Sequence, residues 1–452
     1  METQLEIEQA DVQAPSDQMR DQTTTSKSTE AQPKQTRKKA VLRAKAVHTY
    51  DTIVVGAGIS GIAAAYKMKQ VGYQDYLVLE KAERVGGTWR DNNYPGCGCD
   101  VPSALYSFSF APSHQWSHLF AKQPEILSYL EQVVEQFELQ DKIRFQHELL
   151  SAKWNDETNI WQLETSQGAY QARTVIFSTG PITEPSLPNI KGIEGFKGEM
   201  FHSARWKHDY DLTGKRVAVI GTGASAIQFI PQIQPLAKEL IVFQRTAPWV
   251  LPKADMQLNA TVKSLVAKFP MIQQGWRKSV SSILNAINFG LRHPSLLEPV
   301  NVLSRQLLKL QIQDDSLRKA VTPNFSIGCK RLLFANNYYP ALQQDNVTLL
   351  PQGLVEIDGQ SVIAANGERF EVDVIIWGTD LKWHILQLDN AYGMPKVSDW
   401  PTFGRIVRQK RTWVQVWKMC RMPFWYWGQI SWFMTLLLAL LKRRFSILLM
   451  VY

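Results

Sequence analysis

The stretch Asp51-Thr-Ile-Val-Val-Gly56-Ala-Gly58-Ile-Ser-Gly61 decides the fold of this chain. It begins as a short β-branched run, places its glycines in the spacing G-x-G-x-x-G, and continues into an Ala-rich stretch typical of a helix. A second apolar run, Tyr76-Leu-Val-Leu-Glu80, follows and ends in an acidic residue. Strand, glycine turn, helix and strand in this order predict a βαβ unit.

The same pattern recurs further along the chain. Lys215-Arg-Val-Ala-Val-Ile-Gly221 leads into the loop Gly221-Thr222-Gly223-Ala224-Ser225-Ala226, then into a helical stretch, and then into Glu239-Leu-Ile-Val-Phe-Gln-Arg245. A glycine loop at such a turn lets backbone amides and the positive helix N-terminus meet a pyrophosphate, which a Cβ at the second glycine would keep away. We therefore predict an α/β fold with two dinucleotide-binding (Rossmann-like) domains.

The residue that ends the second strand of each unit distinguishes the nucleotides. A carboxylate there hydrogen-bonds a ribose 2′-hydroxyl, whereas an arginine accommodates a 2′-phosphate. Glu80 and Arg245 stand at the same distance from the first glycine of their loops, with opposite charge. The first unit is thus predicted to bind FAD or NAD and the second NADP; the alternative is that both residues are only exposed strand ends.

Two dinucleotides on one chain indicate hydride transfer between them, since nicotinamide and flavin are natural redox partners. The residues themselves therefore predict an NADPH-dependent flavoprotein. A reductase that passes electrons to a disulfide would need a redox pair of cysteines, and Cys97-x-Cys99 has the wrong spacing. Oxygen is the next acceptor to consider.

Composition excludes several other classes. The chain has 452 residues, of which 45% are apolar and 20% charged, as in a globular protein with two or three cores. The four cysteines form neither a disulfide framework nor a zinc module, so a reducing compartment is expected, and no metal site is predicted. The net charge of +9 comes entirely from residues 405–452, which argues against a nucleic-acid surface.

Five segments are predicted along the chain. Residues 1–49 lack aromatic side chains and are expected to be a disordered tail. The remaining segments are the first part of an FAD-binding domain at 50–205, an NADP-binding domain at 206–345 with a helical insertion at about 255–325, a return to the FAD-binding domain at 346–404, and an anomalous basic and hydrophobic tail at 405–452.

The tail allows more than one interpretation. Residues 422–441 carry no charge and precede Lys442-Arg443-Arg444, which meets the criteria for a membrane span and would anchor an otherwise cytoplasmic protein to a membrane. The alternatives are a frame-altered end without functional meaning and a divergent soluble end. In each case the completeness of the flavin site is in question.

Between the two units, Phe196-Lys-Gly198-Glu-Met-Phe-His202-Ser-Ala-Arg-Trp206-Lys207 resembles the F-x-G-x-x-x-H-x-x-x-W fingerprint of Baeyer–Villiger monooxygenases. Lys207 departs from it, because the related flavin-containing monooxygenases that oxidise nitrogen and sulfur have Lys or Arg there. We expect His202 to orient the linker rather than to act as an acid or base, and Trp206 to serve packing.

Other segments resemble the Baeyer–Villiger group more closely, over residues 50–400. They are Glu80-Lys-Ala-Glu-Arg-Val-Gly-Gly87-Thr88-Trp89, the stretch from Tyr94 to Asp100 with Tyr106, and Gly328-Cys-Lys330-Arg331. The resemblance implies that Gly87, Thr88, Trp89 and Tyr106 contact FAD. It also implies that Arg245, Thr246 and Lys330 bind the NADP phosphate, and that Asp100 and Arg331 lie beside the flavin.

The resemblance implies an FAD- and NADPH-dependent monooxygenase that uses O2 to convert a ketone into an ester or lactone through a flavin C4a-peroxide. Arg331 would stabilise the anions that form, and Asp100 would hold Arg331. Structural alternatives remain for both, as a surface arginine and a turn cap. An enzyme that hydroxylates nitrogen or sulfur, or a non-catalytic relic of the family, are the alternative functions, and oligomeric state is not predicted.

Overall fold

The computed structural model describes residues 48–180, 182–293, 297–379, 381–383 and 448–450. The first sheet has strand order β3-β2-β1-β6-β5-β4, and β19 pairs with β6 as a further strand. Strands β1, β2, β3, β6 and β19 run parallel, while β4, β5 and β6 form an antiparallel meander. The elements are β1 (Thr49–Val55), α1 (Ile59–Gln70), β2 (Tyr76–Leu79), α2 (Thr88–Asp91), α3 (Gln123–Gln136), β3 (Ile143–Arg144), β4 (Leu149–Asn155), β5 (Ile160–Thr165), β6 (Gly168–Phe177) and β19 (Leu448–Met450).

The second sheet is parallel throughout, with strand order β13-β10-β9-β17-β8. Its three inner strands, β10, β9 and β17, are short Val- and Ile-rich runs that are buried on both faces, as expected where helices cover a parallel sheet. The elements are β8 (Glu199–His202), β9 (Arg216–Ile220), α4 (Ala226–Ile233), β10 (Glu239–Phe243), α9 (Tyr338–Leu342), β13 (Val347–Leu350) and β17 (Val374–Trp377). The two predicted βαβ units, β1-α1-β2 and β9-α4-β10, are both present.

The expected return of residues 346–404 to the first domain is wrong for the part from 347 to 377. There β13 extends the second sheet beside β10, and β17 lies between β9 and β8. Between them, β14 (Leu354–Asp358), β15 (Ser361–Ala364) and β16 (Arg369–Glu371) form a separate antiparallel sheet. The boundary expected at residue 205 also shifts, because β8 already belongs to the second sheet.

The expected helical insertion corresponds to the helices that lie between β11 (Val250–Leu251) and β12 (Leu333–Phe334), which pair in parallel. Its helices are α5 (Ala260–Lys268), α6 (Pro270–Arg292), α7 (Glu298–Gln311) and α8 (Asp315–Val321). The insertion packs on the first domain: Arg277 on α6 donates to the carbonyl oxygens of Ala104 and Ser107, each at 3.0 Å. One buried apolar cluster includes residues of α1, α4 and the insertion, so the parts share a core.

Two chain segments cross between the sheets side by side. β7 (Ile182–Pro185) leaves the first sheet after β6, and β18 (Leu381–Trp383) follows β17 of the second sheet. They pair antiparallel, and the hydroxyl of Thr379 donates to the carbonyl oxygen of Ser186 at 2.9 Å. Strand pairing and this hydrogen bond therefore join the two crossing segments to each other.

Within the described part of the chain, no helix combines the length and apolarity that a bilayer crossing requires. The segment 422–441 and nearly all of the tail at 405–452 lie outside the described residues, as does the N-terminal segment before residue 48.

Candidate functional site

The first glycine loop leaves room where a pyrophosphate would lie. A Cβ on Gly56 would come within 2.5 Å of the Ser178 carbonyl oxygen, and one on Gly61 would overlap the carbonyl oxygen of Gly56. A Cβ on Gly58, by contrast, has only the Cα of Gly87 within 4 Å, at 3.7 Å. The outer glycines thus let the turn close, while the middle one keeps the space in front of the α1 N-terminus open.

Glu80 lies at the end of β2 and is 4% exposed. Its carboxylate accepts from the backbone N–H of Ala57 at 2.7 Å and of Ala82 at 3.0 Å, and it pairs with the Arg90 guanidinium at 2.9 Å. A carboxylate has about four acceptor positions, so one remains for a ribose hydroxyl. Sequence reasoning missed Arg90, which shares a short helix with Trp89.

Gly87 lies close to Gly58 across the loop. A Cβ on Gly87 would lie 3.0 Å from the Gly58 Cα, and the φ of Gly87 is +53°. Helix α2 begins at Thr88 directly after it. The indole of Trp89 donates to the Tyr106 hydroxyl at 2.9 Å. Burial raises the pKa of Tyr106 well above its usual value, and the nearby guanidinium of Arg331 opposes that shift. The structure thus brings Gly58, Gly87, Trp89 and Tyr106 together beside Arg331.

The second loop has the same construction with one substitution. Gly221 has a φ of +106°, and a Cβ there would lie 2.7 Å from the Gly378 carbonyl oxygen. A Cβ on Gly223 would meet only that oxygen, at 3.8 Å. Ala226 replaces the third glycine, and Gly378 opposite it has no side chain; a Cβ on Gly378 would lie 3.1 Å from that of Ala226. Thr222 is buried in this turn, and Ala224 and Ser225 lead into α4.

The residues expected at the NADP phosphate are exposed. Arg245 and Thr246 follow β10, and Lys330 places its ammonium 4.8 Å from the ring centre of Phe325. The position of Arg245 beyond the second βαβ strand is the one that the motif requires.

Asp100 and Arg331 are brought together from distant parts of the sequence. The Arg331 guanidinium lies 3.5 Å from Oδ2 of Asp100, whose side chain is 8% exposed, while that of Arg331 is 56% exposed. The other carboxylate oxygen, Oδ1, pairs with the ammonium of Lys253 at 3.3 Å. Sequence reasoning missed Lys253, although its place just after the apolar run at Trp249–Leu251 marked it as the end of a strand.

Cys97 and Cys99 flank this site without forming a thiol redox centre. Both are buried, and burial raises the pKa of each thiol to about 12. Protonated thiols are poor nucleophiles.

The fingerprint residues lie at the crossing between the two sheets. A Cβ on Gly198 would overlap the Asp373 carbonyl oxygen and the Phe196 ring. Nδ1 of His202 accepts from the Ala204 N–H at 3.0 Å, and Nε2 lies 3.3 Å from the Thr379 carbonyl oxygen. Burial lowers the pKa of His202, and Nδ1, as an acceptor, carries no proton. Trp206 packs on the rings of Phe201 and Phe229, at 5.2 and 5.3 Å.

A third residue that sequence reasoning missed is Gln228 on α4, which joins the domains. Its side-chain amide accepts from the Tyr94 hydroxyl at 3.0 Å and from the Gly98 N–H at 3.3 Å, and it donates to the Gly98 carbonyl oxygen at 3.1 Å. The NADP-side helix thereby holds the loop that ends in Asp100. No periodicity or motif marks a glutamine on a helix surface in advance.

Known proteins share this arrangement. A family model described as pyridine nucleotide-disulphide oxidoreductase matches residues 53–283. A Baeyer–Villiger monooxygenase of Pseudomonas aeruginosa is 44% identical over 328 residues, which are 72% of this chain and 62% of that protein. One of Streptomyces coelicolor is 41% identical over 367 residues, 81% of this chain and 68% of the relative. The match thus spans less than two thirds of the Pseudomonas protein.

The similarity extends to solved structures. A crystal structure of OTEMO in complex with FAD and NADP superposes with a TM-score of 0.67 at 30% identity, covering 75% of this chain and 73% of the other. The chain belongs to the Baeyer–Villiger monooxygenase family of two-domain flavoproteins.

Proposed function

We propose that this chain is an FAD-containing monooxygenase that uses NADPH and O2 to insert an oxygen atom beside the carbonyl of a small-molecule ketone. The reaction consumes ketone, O2, NADPH and a proton, and yields an ester or lactone, water and NADP⁺. The observation that carries the proposal is the charged cluster of Asp100, Arg331 and Lys253, which lies where the first nucleotide domain meets the second.

The residues present suit both nucleotides. The space in front of Gly58 and Gly223 accepts phosphates that a Cβ would displace, and Glu80 and Arg245 follow their strands with the charges that suit FAD and NADPH. When bound, the flavin accepts a hydride from NADPH and supplies the electrons that activate O2. Trp89 and Tyr106, joined by their hydrogen bond, would form part of the wall that excludes water from that chemistry.

Arg331 would provide a fixed positive charge toward the carbonyl oxygen of the ketone, where negative charge develops during oxygen insertion. Its guanidinium is presented to solvent on one side and to Asp100 on the other. A guanidinium remains protonated across the working pH range, so it donates hydrogen bonds and does not act as a base. Asp100 would orient it.

Oxidation of nitrogen or sulfur is less well supported. The sequence feature that favours it is Lys207, and this residue pairs with Glu199 at 2.7 Å on the surface, with nearly half of its side chain exposed. An exposed ion pair does not select a substrate, so the geometry favours ketones.

The proposal is tested with protein that has been loaded with FAD. Anaerobic NADPH should bleach the flavin absorbance, and in air a panel of ketones should yield esters detected by mass spectrometry. Arg331→Ala should retain bleaching and form ester about 10²- to 10³-fold more slowly, by analogy with the loss of an oxyanion donor. Arg369→Ala, which breaks an exposed Arg–Asp pair at 2.6 Å, is the matched control.

Three outcomes would contradict the proposal. NADPH oxidation that releases only H2O2 would argue against oxygen insertion, and products from a sulfide and amine panel but none from ketones would favour the heteroatom alternative. Protein that takes up no FAD would identify a non-catalytic relic.

A further inference from the structure

We propose that Lys253 is a positioning residue that holds Asp100 in place and, through Asp100, sets the orientation of Arg331. The inference rests on the proposed function, in which Arg331 acts on the substrate carbonyl. It adds a third charged residue to a site that would otherwise consist of one aspartate and one arginine.

The contacts of the Lys253 ammonium are all with the first domain. It donates to the carbonyl oxygen of Cys99 at 2.9 Å and to Oδ1 of Asp100 at 3.3 Å, and it lies 4.9 Å from the ring centre of Phe120. All three partners belong to the first domain, whereas Lys253 follows β11 at the start of the helical insertion. The lysine therefore anchors the insertion to the loop that carries Asp100.

The backbone of Lys253 is itself held. Its N–H donates to Oδ1 of Asn336 at 2.8 Å, and Nδ2 of Asn336 donates to its carbonyl oxygen at 2.7 Å. Asn336 follows β12, and Arg331 precedes β12. Since β11 and β12 run parallel, Lys253 and Arg331 extend from opposite ends of this two-stranded ribbon, and their side chains reach different oxygens of the Asp100 carboxylate.

Lys253 and Arg331 differ in how much of the side chain is exposed to solvent. The Lys253 side chain is 10% exposed and that of Arg331 is 56% exposed, against 8% for Asp100. A buried ammonium is retained only where a carboxylate and carbonyl oxygens compensate for its lost hydration, so its position is narrowly defined. A largely exposed ion pair contributes little on its own. Lys253 rather than Arg331 is therefore the residue that locates Asp100.

The first test does not depend on oxygenation. Cys97 and Cys99 are buried in the loop that Lys253 holds, so their alkylation by iodoacetamide reports the opening of that loop. Lys253→Met should raise the alkylation rate of the peptide that contains them about 10-fold or more, in protein with and without FAD. The exposed thiol of Cys329 serves as the internal reference for reagent activity.

Lys142→Met is the matched control for this test. The ammonium of Lys142 also donates to a carbonyl oxygen, that of Gln74 at 2.7 Å, and lies 5.2 Å from the ring centre of Tyr76. Lys142 is remote from Asp100 in the fold, on the far side of β2. Its loss should leave the alkylation of Cys97 and Cys99 at the wild-type rate.

The second test is a double-mutant cycle on ester formation. Lys253→Met alone should lower kcat about 10²-fold, as expected when a reacting group is misplaced by about 1 Å. In the Arg331→Ala background the same substitution should add almost nothing, because its effect passes through Arg331. Lys253→Arg, which keeps a cation, should restore part of kcat.

Equal losses of kcat in both backgrounds, or unchanged alkylation of Cys97 and Cys99, would overturn the proposal. Should Lys253→Met not fold, Asn336→Ala provides the same cycle, since it removes the side chain that holds the Lys253 backbone and so displaces the ammonium without removing it. If the wild-type protein forms no ester but Lys253→Met opens the loop, the proposed function fails while the anchoring role of Lys253 stands.

Discussion

At the scale of single residues, the candidate site is a small buried charge cluster. Asp100 is the residue on which it depends, because the carboxylate compensates a buried lysine on one side and orients an exposed arginine on the other. The resemblance in sequence predicted the Asp100–Arg331 pair, and the structure brings these two residues together. Lys253 has no motif of its own, so only its contacts identify it.

Asp100→Asn should both destabilise the protein and impair its reaction. The neutral amide leaves the Lys253 ammonium buried without a countercharge, which typically costs about 3 kcal/mol in the free energy of unfolding. Urea unfolding followed by tryptophan fluorescence measures this loss, with the exposed Asp209→Asn as the control. A loss no larger than that of the control would show that Asp100 is not the countercharge of Lys253.

At the scale of secondary structure elements, the two glycine loops show what each position of the motif does. The spacing of the glycines is visible in the sequence because a positive φ or a close backbone approach is a local requirement. The partner of each approach is not local. Gly378, which makes room for Ala226, directly follows β17, more than a hundred residues further along the chain.

Substitutions in the first loop should separate cofactor binding from folding. Gly58 has a φ of −78°, and a Cβ there meets nothing closer than 3.7 Å, so Gly58→Ala should fold with a free energy of unfolding within about 1 kcal/mol of wild type. It should nevertheless fail to bind FAD, measured by absorbance after gel filtration.

Gly61→Ala is the opposite case, since its Cβ would overlap the carbonyl oxygen of Gly56. It should lower the free energy of unfolding itself, as overpacking at a backbone contact does. Retention of FAD by Gly58→Ala would refute the assignment of this loop to the pyrophosphate.

The crossing segment should respond to pH through His202. Burial lowers its pKa in the folded state, so the unfolded chain binds the proton more readily, and folding stability should fall as the pH drops below about 6.5. His202→Asn can still accept from the Ala204 N–H but does not titrate. Urea midpoints at about pH 7.5 and 5.5 should therefore decrease more for wild type than for the variant. Equal decreases would show that His202 is not the titrating group.

At the scale of the whole molecule, function depends on how the two nucleotide domains are held against each other. Three sets of contacts hold them: the hydrogen bonds of Gln228, the pairing of β7 with β18, and the packing of the insertion on the loop from Ala104 to Ser107. A flavin and a nicotinamide exchange a hydride only at short range, so small changes at these contacts should affect electron transfer before they affect binding.

Gln228→Ala should slow flavin reduction by NADPH while FAD affinity stays near that of wild type. The substitution leaves the N–H and carbonyl oxygen of Gly98 without partners, at a cost of about 1–3 kcal/mol. Anaerobic stopped-flow spectroscopy measures the reduction rate. Gln234→Ala is the control, because Gln234 is the C-cap residue of α4 and pairs with Asn346 inside the second domain. Equal rates for both variants would argue against an interdomain role for Gln228.

The sequence by itself determined the two βαβ units and predicted their opposite nucleotide preferences and a helical insertion, because glycine spacing, strand-end charge and apolar periodicity are local properties of the chain. Only the tertiary structure decided that β13 and β17 complete the second sheet, since a short apolar strand suits a place in either parallel sheet. Lys253 and Gln228 likewise became visible only in the folded chain. A lysine or glutamine has no preferred partner in sequence, and its partner is set by which backbone carbonyls and carboxylates the packing leaves to be satisfied.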